Sequence, residues 1–304
     1  MGHHHNHSHH HFEEQREGNK RGLLIALLIT SGIMVLEFFG GLFTNSLALL
    51  SDSGHMLSDA SSLALSLVAM WFASRPASPN KTYGFYRFEI LTALFNGATL
   101  FVISGFIIYE AYERFLEPPS VASGTMMLIA SVGFIANLIS AWSLMRKGDV
   151  KDNVNLRSAY LHVIGDALGS VGALIAGLLM LVFEWYIADP IISVVVALLI
   201  LKSAWGVLQN SIHILMEGTP STINQEDVKN LLTSIEGVKD VHDLHIWTIT
   251  SGLDSFSCHL LIEDDKESQM ILQQAIDLIR EHCKIEHTTI QVEKSDLQHG
   301  EMQV

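Results

Sequence analysis

The reading of this chain turns on two short polar runs, Asp52-Ser-Gly-His55-Met-Leu-Ser-Asp59 and Tyr160-Leu-His162-Val-Ile-Gly-Asp166, each set inside a long apolar stretch. In both, a histidine is followed four residues later by an aspartate, a spacing that on an α-helix stacks imidazole and carboxylate on one face. An aspartate at the middle of a membrane helix costs about 2.5–3.5 kcal/mol on insertion scales, so such residues point at a cavity, an ion path or a partner. One such pair alone could be explained by a basic partner, or by a histidine bonded to a backbone carbonyl. Two copies, with no Lys or Arg inside either run, point instead to a shared ligand set of His55, Asp59, His162 and Asp166. Two imidazoles and two carboxylates suit Zn2+, which prefers four tetrahedral N, O or S ligands and whose charge the carboxylates neutralise. Asp52, one turn before His55, is read either as a proton relay or ligand-orienting group, or as a residue lining the cavity.

Outward from these runs lie six apolar segments, at 22–43, 46–73, 87–115, 122–145, 156–183 and 188–209. Each is close to or above the roughly 20 residues needed to cross a bilayer. Mean hydropathy is +0.31 and only 16% of the 304 residues are charged, so the chain is read as a polytopic helical membrane protein. The first segment is too long for a cleavable signal and lacks a small-residue cleavage site. Basic residues gather before the first segment (Arg16, Lys20, Arg21), between the second and third (Arg75, Lys81, Arg87) and between the fourth and fifth (Arg146, Lys147, Lys151, Arg157). By the positive-inside rule both termini are cytoplasmic. Ser58, Ser61, Ser158, Gly165 and Gly169 are small enough to let the second and fifth helices approach closely. Glu37, Asn96 and Asn137 are read as polar glue between helices.

Three domains are expected. Residues 1–20 form a disordered tail with seven histidines, His3, His4, His5, His7, His9, His10 and His11, a metal-binding composition that an affinity tag would also produce. Residues 21–215 form the six-helix unit, and 216–304 a cytoplasmic domain. The last 88 residues hold 17 acidic against 6 basic side chains, which accounts for −11 of the chain's net charge of −14 and disfavours nucleic acid as a partner. In that domain an Asn224-capped helix over 224–236, alternating strands over 241–250 and 256–262 about a Ser251-Gly252 turn, a helix over 267–282 and a strand over 288–292 predict an α+β αββαβ fold with an antiparallel sheet. A turn at Ser251-Gly252 pairs Leu244 with His259 and sets His242 diagonally beside it, with Glu293 able to complete a second metal site and His245 facing the other way. A one-residue slip would move every one of these side chains to the other face. Cys258 and Cys283, both in this domain, are not expected to form a disulfide.

The run from Asn45 to Asp59, the run Tyr83-Gly-Phe-Tyr-Arg-Phe-Glu89 with its continuation to Gly97, the pair His162/Asp166 and His242-Asp-Leu-His245-Ile-Trp247 together resemble the cation diffusion facilitator family, and within it the bacterial CzcD-type zinc exporters. The resemblance covers residues 20–294. It implies a homodimeric metal/proton antiporter in the bacterial inner membrane, with a metallochaperone-like, ferredoxin-like cytoplasmic domain. The transport site then maps onto His55, Asp59, His162 and Asp166, a set associated with a preference for zinc; cadmium and cobalt are further candidates. In the tail domain the family's ligands map onto His242 and His259, while others fall on Gln269 and Gln291. A loop site held by some members is not carried over, because 74–87 contains no His or Asp.

Two rival classes are considered. An intramembrane zinc hydrolase would need an open coordination position beside a general base, whereas the four-residue set fills the shell and no His-Glu-x-x-His occurs. A membrane-tethered zinc sensor or buffer would use the His-rich tail and acidic domain but gives no reason for ligands at mid-membrane. Discrete ligands on two helices suit alternating access about one fixed site, with protons as counter-ion.

Overall fold

The computed structural model describes residues 7–73, 78–147, 154–250 and 252–295; the side chains of 7–23 and 154–165, among others, lie outside the described residues. The chain divides into two compact units, one of residues 1–71 and 92–208, the other of residues 72–91 and 209–304.

The first unit is built on six long helices: α1 (His7–Thr44), α2 (Leu47–Ala73), α3 (Arg87–Leu116), α4 (Ser123–Lys147), α5 (Val154–Phe183) and α6 (Ala188–Leu215). Their centres lie where the six apolar segments are expected. Among the described residues five of them, all but α2, are long and apolar enough to cross a membrane. Their outer faces carry Phe43, Phe95, Val102, Phe106 and Leu199, all largely exposed; so much apolar surface is at home in lipid and not in water. The interior is made largely of small residues, with Ala48, Ala130, Ala173, Ala176 and Ala188 packed about Leu49, Met126 and Met180, which brings helix backbones close.

One departure from the sequence reading is at the start of the chain. Helix α1 runs from His7, so residues 7–20, expected above as part of a disordered tail, continue the first span as helix. The run Glu13-Glu-Gln-Arg-Glu17 is of strong helix formers. His3, His4 and His5, and the side chains of His7, His9, His10 and His11, lie outside the described residues.

The start of α2 is fixed from elsewhere in the chain. Asp189, in the first turn of α6 and 1% exposed, accepts hydrogen bonds from Ser46 Oγ (2.6 Å), Leu47 N–H (2.7 Å) and Ala48 N–H (3.1 Å). A helix leaves its first N–H groups without internal partners, and here a remote carboxylate takes two of them. Arg114 of α3 joins the cluster, 3.9 Å from Asp189, donating to Asn45 O at 2.7 Å and to Glu110 at 3.0 Å.

In the second unit α7 (Gln225–Thr233), β1 (Val238–Thr250), β2 (Leu253–Ile262), α8 (Ser268–Cys283) and β3 (His287–Glu293) follow in the expected αββαβ order. Asn224 caps α7, its Oδ1 accepting from Glu226 N–H at 2.9 Å. The core is the face of the sheet that meets the two helices: Val228 and Leu232 from α7, Ile271, Ala275 and Ile279 from α8, against Val241, Ile246, Phe256, Leu260 and Ile262. The sheet is mixed, which corrects the antiparallel expectation. β1 and β2 are antiparallel, but β3 runs parallel to β2, because α8 carries the chain back across the sheet before β3 begins. Within this unit Arg87 pairs with Glu217 at 2.9 Å and Thr250 Oγ1 donates to Glu89 at 2.8 Å.

Candidate metal centres

In the first unit, His55 and Asp59 project from α2 at the i, i+4 spacing and Asp166 from α5. His55 Nε2 stands 3.3 Å from Asp166 Oδ1 and 4.0 Å from Asp59 Oδ2, and one ligand atom from each residue lies within 4.8 Å of the others. Metal–ligand bonds of 2.0–2.1 Å in a tetrahedron set neighbouring donor atoms about 3.3 Å apart. The three are therefore close to a coordination shell with only small rotations needed. Asp166 is preceded by His162 four residues earlier on α5, but the His162 side chain lies outside the described residues.

α2 reaches α5 here through the Asp52 side chain, for which Gly169 leaves room: a Cβ there would fall 2.7 Å from Asp52 Oδ1. Ser158 and Gly165, also expected to permit this approach, lie outside the residues whose side chains are described. Asp52 is 4% exposed and faces Ser170, whose Oγ lies 3.4 Å from Asp52 Oδ2 and 3.4 Å from the Asp166 carbonyl. Asn96 of α3 donates to Ser58 of α2 at 3.1 Å, a polar link between helices as expected. Glu37 is buried against Gly133 of α4.

In the second unit the structure brings together His242, His259 and Glu293, again with one ligand atom each within 4.8 Å. Glu293 reaches His259 Nδ1 with Oε1 at 2.9 Å and His242 Nε2 with Oε2 at 3.4 Å. The imidazole rings are 5.3 Å apart, edge to face. Gln291 donates to Glu293 Oε1 at 2.8 Å, so it steadies the carboxylate, whereas Gln269 is exposed on α8. Cys258 faces the core on the other side of β2, where burial pushes its thiol up to about 12, far from a thiolate ligand at neutral pH.

The way His242 reaches His259 corrects the expected register. His242 is directly opposite His259 and not diagonal to it, and Leu244 is not paired with His259. The ladder starts as expected at Thr250↔Leu253, then slips by one residue between Thr248 and Thr250 and by one more between His242 and His245. Each slip is a bulge that inserts a residue in β1. One slip alone would have turned His242 into the core; two return it to the same face. The second bulge is marked by Asp243, whose φ of 48° is left-handed, a conformation that Asp and Asn tolerate better than most residues.

His245, expected to face the other way, lies on the same face as His259, because the bulges set it opposite Ser257, two residues along β2; it nevertheless stands outside the cluster. Its Nε2 bonds Asp243 Oδ1 at 2.9 Å, and it lines a cavity of about 640 Å³ with Lys81, Arg87, Glu217, Trp247 and Ser257. The hydrogen bond from His245, aided by the nearby His259 and His242, holds the Asp243 carboxyl below the usual carboxylate range. Neither Asp243 nor Asp189 stands out in the sequence. Asp189-Pro190 reads as the start of its own helix, and Asp243 as an ordinary polar position of a strand.

Comparison with known proteins bears on both units. The family profile described as "Cation efflux transmembrane domain" matches residues 23–216, and that described as "Cation efflux protein, cytoplasmic domain" matches 220–295. The chain is 51% identical over 278 residues to the "Cadmium, cobalt and zinc/H(+)-K(+) antiporter" of Bacillus subtilis (strain 168), covering 90% of this chain and 89% of that one. It is 41% identical over 277 residues to "Zinc transporter ZitB" of Pectobacterium atrosepticum, covering 91% and 86%. Among solved structures, the "Metal-bound C-terminal domain of the CzcD transporter from Cuprividus metallidurans" is 32% identical, with 23% of this chain and 99% of that one covered and a TM-score of 0.23.

Proposed function

We propose, because this chain belongs to the cation efflux family, the cation diffusion facilitators, that it exports cytosolic zinc in exchange for protons through a site made by His55, Asp59, His162 and Asp166. The observation that carries this reading is the meeting of His55, Asp59 and Asp166 from two membrane helices, with one ligand atom of each within 4.8 Å of the others. Cadmium and cobalt, which occur in the names of relatives, are candidate alternative substrates. The chain is an integral membrane protein and a transporter rather than an enzyme. Cytoplasmic termini, a bacterial inner membrane and a homodimer, the last supported by the tail domain's family match, complete the proposal. So do the boundaries at residues 20 and 215.

Electrostatics asks for the counter-ion. Moving Zn2+ outward against 100 mV, negative inside, costs about 4.6 kcal/mol, and each proton moving inward returns about 2.3 kcal/mol. Zinc needs neutral imidazole and ionised carboxylate, so protons and metal compete for the same four side chains. Protons reaching the site from outside displace zinc, and the protonated site returns inward. Asp52, one turn before His55 on α2 and buried, either relays protons to these side chains or lines their cavity.

His242, His259 and Glu293 hold a regulatory cation in the cytoplasmic domain, and the histidines of residues 3–11 collect zinc. Deleting residues 1–12 is expected to raise the zinc concentration needed for half-maximal transport without abolishing it, read as initial rate against free zinc; complete loss would contradict the collector role. The reading as a whole is tested by zinc-driven proton flux in proteoliposomes with a lumenal pH dye. Proton flux that depends on zinc and is lost in Asp59→Ala and Asp166→Ala sustains antiport. Zinc bound to the reconstituted chain with no flux would replace it by a membrane-tethered sensor or buffer.

A further inference from the structure

Five side chains of the tail domain form one alternating string of imidazoles and carboxylates: His245, Asp243, His259, Glu293 and His242. The contacts along it are 2.9, 3.6, 2.9 and 3.4 Å. Only the last three residues form the cation cluster. His259 is the hinge of the string, because its two ring nitrogens face different carboxylates. Nδ1 meets Glu293, inside the cluster, while Nε2 meets Asp243 Oδ2, outside it. Asp243 is divided in its turn: Oδ1 is held by His245 at hydrogen-bond distance, and Oδ2 is left at 3.6 Å from His259, too long for a hydrogen bond.

We propose that Asp243 is a positioning residue for the cation site of the tail domain, fixing the His259 ring with Nδ1 turned to the metal, and that His245 competes for this carboxylate and so lowers the site's affinity. The proposal rests on the reading of His242, His259 and Glu293 as cation ligands. The physical basis is general: a metal-bound imidazole gains basicity and a fixed orientation when its other nitrogen donates to a carboxylate, and loss of such a partner typically weakens metal binding about 10–100-fold. Here the partner is in reach but drawn aside. Release of His245 lets Asp243 Oδ2 close the gap on His259 Nε2. His245 also borders the 640 Å³ cavity, so whatever engages its ring from that side acts on the cation through two side chains. The left-handed bulge at Asp243 is what permits the division, since it sets His245, opposite Ser257, on the same face as His259 with Asp243 between the two rings.

The test uses the full-length chain in detergent, with zinc binding read by competition against a chromophoric chelator. The tail site is defined as the component that Glu293→Gln removes. Asp243→Asn keeps the shape and the left-handed backbone and is expected to weaken that component about tenfold or more. His245→Gln is expected to tighten it, and to have no effect in the Asp243→Asn background. A domain that depended on these residues only for its fold would weaken or stay unchanged in both single variants and would not show opposite signs. Native affinity in Asp243→Asn, or the same His245→Gln effect with and without Asp243, overturns the positioning role while leaving the site. A Glu293→Gln chain that binds zinc as the native chain does removes the site, and the role with it.

Discussion

Asp59→Ala and Asp166→Ala each abolish zinc-driven proton flux, by a factor of about 100 or more. The expectation follows from what either change leaves behind. In the native chain, His55 is flanked by both carboxylates, at 4.0 and 3.3 Å, and their two charges balance the ion. Removing one leaves Zn2+ with a net positive charge among apolar helices, and breaking one partner of a buried charged group costs about 3–5 kcal/mol, or about two to three and a half decades in occupancy. The same change takes away a group that must carry a proton on the return. Proteoliposomes with a lumenal pH dye read both losses together. Flux within threefold of native in either variant would place the transport path elsewhere in the bundle.

The second large effect concerns stability. Asp189→Ala strips the start of α2 of its acceptor. The Leu47 and Ala48 N–H groups and the Ser46 hydroxyl, all buried, lose bonds of 2.7, 3.1 and 2.6 Å, and Arg114 loses its buried counter-charge at 3.9 Å. A loss of about 3–5 kcal/mol is expected, read by denaturant unfolding in detergent micelles. Asp189→Asn, which keeps one acceptor oxygen, is expected to lose about half as much. A change below about 1 kcal/mol for the Ala variant would mean that Arg114 and Asn45 hold the end of α2 without it.

Much of this was legible in the chain because the signals are local. Six apolar runs announced the long helices, and the i, i+4 spacing put His55 with Asp59 before any partner helix was known. The same is true of Asn224, whose capping role needs only its own first turn. What could not be read were events decided by remote groups. Nothing near Asp189 says that it serves a helix that begins more than a hundred residues earlier, and nothing near Asp243 says that it bridges His245 to His259 on the next strand. The sheet shows both cases. Its strands followed from alternation, while the parallel return of β3 and the facing of His242 on His259 depended on a crossover and on bulges that alternation does not record. The cluster of His242, His259 and Glu293 was foreseen, but from a register that the structure replaces.

That replacement has a consequence for how β1 can change over time. From Thr250 to His242 the strand takes eight steps where β2 takes six from Leu253 to His259, so two residues of β1 are surplus to the pairing. Losing a surplus residue together with its bulge leaves His242 opposite His259, whereas losing a residue of the regular stretch His245–Thr248 with both bulges kept would bring His242 opposite Cys258, on the core side. Changes of length in lineages of this domain should therefore collect at the two bulges and spare the regular pairs between them.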